Sequence, residues 1–280
     1  MPKPVPHLLR DLVEPLAANV YFAPEAINGY AELDLGYPQG YFSSRGACLG
    51  QVDGHVIASA FGVFYPPMVK AFIDEAWSKT DAPTILDVRR RGATAALERM
   101  LGDKPDGLDR ATELLKRAGE NGTVAGHPLY AGLTALDWPG DPMGNLWRAA
   151  DIVREHRGDS HTAAWTSAGL TAIEVLLLTE AWWGMEIHTY SRTRAWPDDE
   201  VNATIASLQE RGLISADKQL TDAGVELRRA IEAATDKAEF GIVSALGDDA
   251  DELFTIIEPW AKVIVESGGY PTDPSQLVRK

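Results

Sequence analysis

Apolar positions along this chain recur at helical spacing. Leu8, Leu9, Leu12, Val13 and Leu16 form one such stripe near the start. Pro24 stands where a first-turn proline is tolerated and opens a second helix through Ala26, Ile27 and Tyr30. The spacing predicts further helices at about 54–64, 67–78, 84–101, 107–120, 142–157 and 161–180, and two more at about 221–246 and 249–266. Alternation of β-branched and polar residues is scarce, and Asn28-Gly29 and Asn121-Gly122 follow helical patterns instead of joining two strand-like runs. A Gly- and Pro-rich stretch over 122–144, the pair Trp183-Gly184 and the pair Gly268-Gly269 punctuate the pattern. The expectation is a mainly α protein.

The order of elements after Ser160 is more specific. A long helix leads into Trp196-Pro197-Asp198-Asp199-Glu200, where Asp198 or Asp199 can cap the helix that follows. Val201, Ile205 and Leu208 share one face of that helix, and Arg211-Gly212 ends it with glycine in the left-handed cap. Leu213-Ile214-Ser215 then reads as a short strand, Ala216-Asp217-Lys218 as a tight turn and Gln219-Leu220 as the return strand, before Thr221-Asp222-Ala223-Gly224 starts a helix through Leu227 and Ile231. This order resembles a winged helix-turn-helix of the MarR type, with Leu220-Thr221-Asp222-Ala223-Gly224 as its marker.

The resemblance extends along the chain. With the segments Tyr21-Phe22-Ala23-Pro24-Glu25-Ala26, Gly40-Tyr41-Phe42-Ser43-Ser44-Arg45 and Glu155-His156-Arg157-Gly158-Asp159-Ser160-His161, it is similar to an actinobacterial family of helix-turn-helix proteins. That family has no agreed activity, so the resemblance implies an architecture and not a chemistry. The implied architecture is a multi-helix N-terminal bundle over 1–158, then a MarR-like winged-helix domain over 159–280 with a very short β-wing and C-terminal helices.

Charge changes the picture of the winged segment. The 280 residues carry a formal charge of -15, with a pI near 4.8. A DNA reader needs donors for base edges flanked by Lys or Arg for phosphates. Residues 198–212 instead offer Asp198, Asp199, Glu200 and Glu210 against Arg211, and the turn adds Lys218 beside Asp217. That balance is repulsive toward a polyphosphate, and Arg192 and Arg194 alone do not make a footprint. The sequence therefore disfavours ordinary DNA binding. One cysteine, Cys48, rules out an internal disulfide. The opening residues lack the apolar core of a signal peptide, and Ile173–Leu178 is too short to span a bilayer, so a cytoplasmic protein without membrane contact is expected.

Two polar clusters carry candidate chemistry. His156, Arg157, Asp159 and His161 are read as a turn between two helices, with Gly158 allowing the bend and Asp159 or Ser160 capping the second helix. Two imidazoles and a carboxylate suit ligand contact, acid–base work or a divalent metal, His156, Asp159 and His161 being the metal candidates. The plainer reading is structural, with these groups closing helix ends. Ser44 and Arg45 sit in an aromatic setting with Tyr41, where Arg45 can clamp an anion or pair with Asp159. Arg89-Arg90-Arg91 is read as solvated helix surface. No phosphate-binding Gly loop, Rossmann fingerprint, GxSxG elbow or HExxH motif is present to name a cofactor.

The eight tryptophans complete the reading. Trp147, Trp165, Trp182, Trp183 and Trp196, with Met143 and Met185, suggest an apolar pocket whose polar end is fixed by Tyr41, Ser44, Arg45 and the 156–161 cluster. The function expected is binding of a mainly apolar or aromatic small molecule. A ligand-responsive DNA-binding regulator and an enzyme built on His156, Asp159 and His161 are the alternatives. The C-terminal helices are apolar enough on one face to support a homodimer or an internal bundle.

Overall fold

A computed structural model describes residues 4–271. They form fourteen helices: α1 (Val5–Ala18), α2 (Pro24–Glu32), α3 (Tyr37–Gly46), α4 (Gly54–Phe61), α5 (Pro66–Lys79), α6 (Ala82–Leu101), α7 (Leu108–Gly119), α8 (Pro128–Thr134), α9 (Pro142–Ser167), α10 (Ala172–Trp182), α11 (Asp198–Glu210), α12 (Asp222–Ala238), α13 (Phe240–Leu246) and α14 (Ala250–Glu266). Proline in the first turn opens α1, α2, α3, α5, α6, α8 and α9, where its fixed φ helps and its missing N–H costs nothing. Asp53, Asp81 and Asp141 cap α4, α6 and α9, and Thr171 with Glu174 closes a full capping box on α10.

The local expectations for α11 are met in part. Its cap is Pro197, with no side-chain bond, while Asp198 and Asp199 lie in the first turn, where they act on the dipole only. Gly212 takes a left-handed φ of 68° just past the helix, as expected. The two short strands expected beyond it reduce to one antiparallel bridge, Ile214 to Leu220, closed by Lys218 at a φ of 60°. Too few residues separate the two arms for a longer ladder, and Thr221 already caps α12.

The larger correction concerns α9. The sequence reading ends a helix at 157 and starts another at 161, yet α9 runs 26 residues without a break through Gly158. Glycine lowers helix stability by only about 1 kcal/mol, and packing on both sides of α9 overrides that. The break falls later, at Gly169 (φ 75°), where α9 and α10 meet at 104°. No single described helix is long and apolar enough to cross a membrane.

Four apolar clusters result. The largest gathers α1, α2, α6, α7, α13, α14 and the first half of α9, with Trp147 sealed at its centre. A second, aromatic cluster joins α3, α4 and α5 through Phe42, Phe61 and Phe64. A third takes Trp165 from the end of α9 with α10, α11 and Ile231 of α12. A small fourth one seats α8 through Tyr130, Leu133 and Ile152. After α12 the chain returns, and α13 and α14 pack on α1, α6 and α7. The expected division between 158 and 159 thus falls inside α9, and the apolar face of α14 is buried within the chain by Leu253, Ile257 and Ile264.

The tryptophans do not gather round a pocket. Trp147 belongs to the main core, Trp165 and Trp196 to the third cluster, and Trp182 and Trp183 are 39% and 44% exposed. Neighbours on a helix point about 100° apart, and the end of α10 covers both indoles only in part, Trp183 against the edge of Tyr190 at 5.6 Å.

Candidate functional site

Because α9 is continuous, its polar residues fan out at about 100° each, and the 156–161 cluster splits between two faces. Asp151, Glu155 and Asp159, spaced by one turn, form an acidic ladder inside the fold; all three are buried. Each rung holds a different element. Asp151 takes both arms of Arg89 from α6 at 2.7 and 3.1 Å, and the Tyr21 hydroxyl accepts a third bond from Arg89. Arg89 is 2% exposed, so only Arg90 and Arg91 of the basic run match the solvated reading. Of those two, Arg90 also reaches Asp141 at the start of α9.

Glu155 receives Arg45 from α3, with Nε to Oε1 and Nη2 to Oε2 both at 2.8 Å. Arg45 therefore pairs with Glu155 and not with Asp159. Burial alone would raise the Glu155 carboxyl, and the charges of Arg45 and Arg154 overcome it and bring the group down to about 2. Phe61 lies under the Arg45 guanidinium at 4.2 Å, and the Tyr41 hydroxyl meets its Nη1 only at 3.5 Å. Ser44 points elsewhere, to the Tyr30 hydroxyl at 2.9 Å inside the bundle.

Asp159 accepts from the Tyr130 amide at 3.0 Å and so closes the start of α8. Burial outweighs these backbone bonds and pushes its carboxyl up to about 7. Beside it, the Thr123 N–H donates to His156 Nε2 at 3.2 Å, which leaves the imidazole proton on Nδ1, 2.7 Å from Glu239 Oε1. The Ser160 hydroxyl donates to the same oxygen at 2.8 Å, and His127 Nε2 lies 2.8 Å from that hydroxyl. The rings of His127 and His156 stack 4.3 Å apart at 9°. This is a sealed hydrogen-bond network: His156 and Ser160 are each 1% exposed.

The opposite face of α9 meets α12. Arg157 bonds Asp236 at 2.9 Å and stands 3.5 Å from Glu232, while His161 Nδ1 is 3.1 Å from the Thr235 hydroxyl. Burial first, and the neighbouring arginines 228, 157 and 10, push His161 down to about 4. His156, Asp159 and His161 therefore do not converge on a metal; no three His, Cys, Asp or Glu side chains do so among the described residues. Trp165, also expected at the site, lies in the third cluster against α10.

One cleft touches both sequence motifs. It holds about 190 Å³ between α1, α3, α9 and α13, and Arg45, Arg157, Gly158 and His161 reach it. Its apolar wall is Leu9, Val13, Val153 and Val243, and Arg10, Arg154, Glu14 and Glu239 complete the rim. No tryptophan lines it; the space is arginine-rich, where an aromatic lining was expected. Tyr41, Ser44, His156, Asp159 and Trp165 lie outside its lining. The partners that sequence reasoning missed are Asp151 and Glu239, together with the role of Glu155. An acid at every fourth position of one helix, at 151, 155 and 159, was the available signal for Asp151 and Glu155. Glu239 gave none, since it lies far off in sequence.

The segment expected to read DNA is also defined. Val201, Ile205 and Leu208 of α11 face inward, while Asp198, Asp199, Glu200, Asn202, Ala203, Ala206 and Glu210 are exposed. Arg211 is tied to Glu174, and Arg194 lies over the rings of Phe64 and Tyr190 at 4.8 and 4.1 Å. The outward surface of α11 is therefore acidic, most of all in its first turn.

A family model described as a helix-turn-helix family matches residues 7–271, and the chain belongs to that family. No curated protein and no solved structure compared with it matches.

Proposed function

We propose that this helix-turn-helix protein binds a small organic molecule in the cleft between α1, α3, α9 and α13, and that α12 carries occupancy to the α10–α11 segment. The observation that carries the reading is the cleft itself, which joins Arg45 from α3 to Arg157 and His161 from α9. A ligand there meets N–H donors at one end, where Arg45 Nη1 holds only its long contact to Tyr41. Its body lies on Leu9, Val13 and Val243. The ligand class is thus a compact molecule with an acceptor or carboxylate head and an apolar body, which adds a polar head to the mainly apolar or aromatic molecule expected.

The coupling follows from α12. Its second half holds Arg157 and His161 through Glu232, Thr235 and Asp236, and its first half packs beneath the Ile214–Leu220 bridge and α10. A head group that draws Arg157 toward the cleft competes with Asp236 and shifts α12. Family membership favours DNA as the target of that shift, whereas the acidic face of α11 favours a basic protein surface.

A thermal-shift panel of small carboxylates, amides and phenols tests the cleft. Compounds that raise Tm in the wild type should lose their effect in Gly158→Leu, which fills the exposed mouth of the cleft from a helical position. A panel with no shifts, or shifts unchanged in Gly158→Leu, would overturn the reading. Fluorescence anisotropy with a random-sequence duplex at low salt should stay flat; saturable binding there would restore α11 as a DNA reader.

A further inference from the structure

Buried arginines in this fold come with carboxylates. Arg89 has Asp151, Arg45 has Glu155 and Arg228 has Glu232. Arg148 of α9 departs from the rule. It is 5% exposed, and its Nε and Nη1 are sealed from solvent with no acceptor. Asp151, one turn along, gives both oxygens to Arg89. Burial weakens the hold of Arg148 on its proton, outweighing the attraction of Asp151, whose charge is shared with Arg89. Such a group is costly unless an anion meets it.

Arg148 lines a second cleft, of about 120 Å³, between α7, α8 and the turn that carries Trp138. It shares no lining residue with the first cleft. Leu115, Leu133 and Ile152 make its walls apolar. Lys116 adds a second cation at the rim, its Nζ 4.5 Å from the centre of the Trp138 ring and 3.9 Å from Glu120.

We propose that this second cleft binds a short-chain monocarboxylate, its carboxylate on the Arg148 guanidinium and its chain against Leu133, Ile152 and Trp138. A guanidinium presents paired N–H donors that match a carboxylate. The size follows from the space: a dry cavity of about 150 Å³ takes a benzene ring, so this one admits a chain smaller than that. Inorganic phosphate fits less well, since a doubly charged group would face an apolar wall and the Glu120 carboxylate at the rim.

Thermal unfolding and titration calorimetry of the full chain decide the matter, with sodium butyrate, butyramide and inorganic phosphate compared at constant ionic strength. Butyrate should raise Tm with concentration, and butyramide should not. Arg148→Met should abolish the response while its ligand-free Tm equals or exceeds the wild-type value, because the unpaired charge is gone. Lys116→Gln, at a half-exposed position, should weaken butyrate several-fold. If Arg148→Met does not fold, Arg148→Lys, which keeps the charge without the fork, must weaken it likewise. Gly158→Leu should leave the butyrate response intact, which separates this site from the first cleft. No response to butyrate, an equal response to butyramide, a stronger one to phosphate, or a response that survives the Arg148 substitutions would each overturn the proposal.

Discussion

Arg45 and Glu155, 110 residues apart in sequence, meet through two parallel hydrogen bonds of 2.8 Å, with the carboxylate almost wholly out of water. The pair ties α3 to α9 at the edge of the first cleft. Removing one partner strands the other. Arg45→Leu should therefore destabilise the fold by about 3 kcal/mol, toward the low end of the range for broken buried pairs, because Arg154 still reaches Glu155. Arg45→Leu with Glu155→Leu should recover most of that loss. Urea unfolding of the two single variants and the double variant gives the coupling directly. Additive losses in the double variant would show that the pair does not act as a unit.

Two helical glycines, Gly158 of α9 and Gly92 of α6, should respond in opposite directions to alanine. At Gly158 a methyl group would find only Glu155 Oε2, at 3.5 Å, and the backbone is helical. Gly158→Ala should stabilise the protein by about 0.5–1 kcal/mol through helix propensity. At Gly92 of α6 the added Cβ would fall 2.5 Å from the Cα of Ala26, so α2 and α6 must part. Gly92→Ala should cost about 1–3 kcal/mol. Calorimetric Tm values for the two variants check both signs at once.

Stability should depend on pH through two residues of α9 with opposite signs. His161 titrates near 4 in the fold against 6.5 when free, so its contribution is full above 6.5 and is lost as pH falls toward 4. Asp159 titrates near 7 in the fold against 3.8 when free, so the unfolded chain ionises first and stability is lost as pH rises from 3.8 toward 7. Asp159→Asn keeps an oxygen for the Tyr130 amide and should gain on the wild type as pH approaches 7. His161→Gln should gain on it as pH falls toward 4. Unfolding free energies across that window measure both slopes, and parallel profiles for all three proteins would contradict the assignment.

Much of the helical scaffold was legible because it rests on local rules. Pro24 and Gly212 mark ends that hold in the fold. Gly158 misled because glycine only permits a break, and the packing of α9 against α12 and α8 decides against one. Arg45 and the 156–161 cluster were legible as polar knots, but their partners were not, since Arg45 and Glu155 are joined only by the tertiary fold. The tryptophan pocket failed for a related reason: large apolar side chains reveal that they seek cover, not which cover they share. Arg89 failed because its two arginine neighbours suggested a solvated surface, while its own side chain turns inward to Asp151.

The acidic ladder of α9 also limits how the bundle can be assembled wrongly. Helices held by leucines alone can slide along one another by a turn, about 5.4 Å, and exchange one apolar contact for another. Here Asp151, Glu155 and Asp159 each await a different partner: Arg89, Arg45 and the first turn of α8. A one-turn slip moves every rung off its partner and leaves one at the end with none. The ladder thus works as an address, giving the central helix one position in which all three rungs are answered.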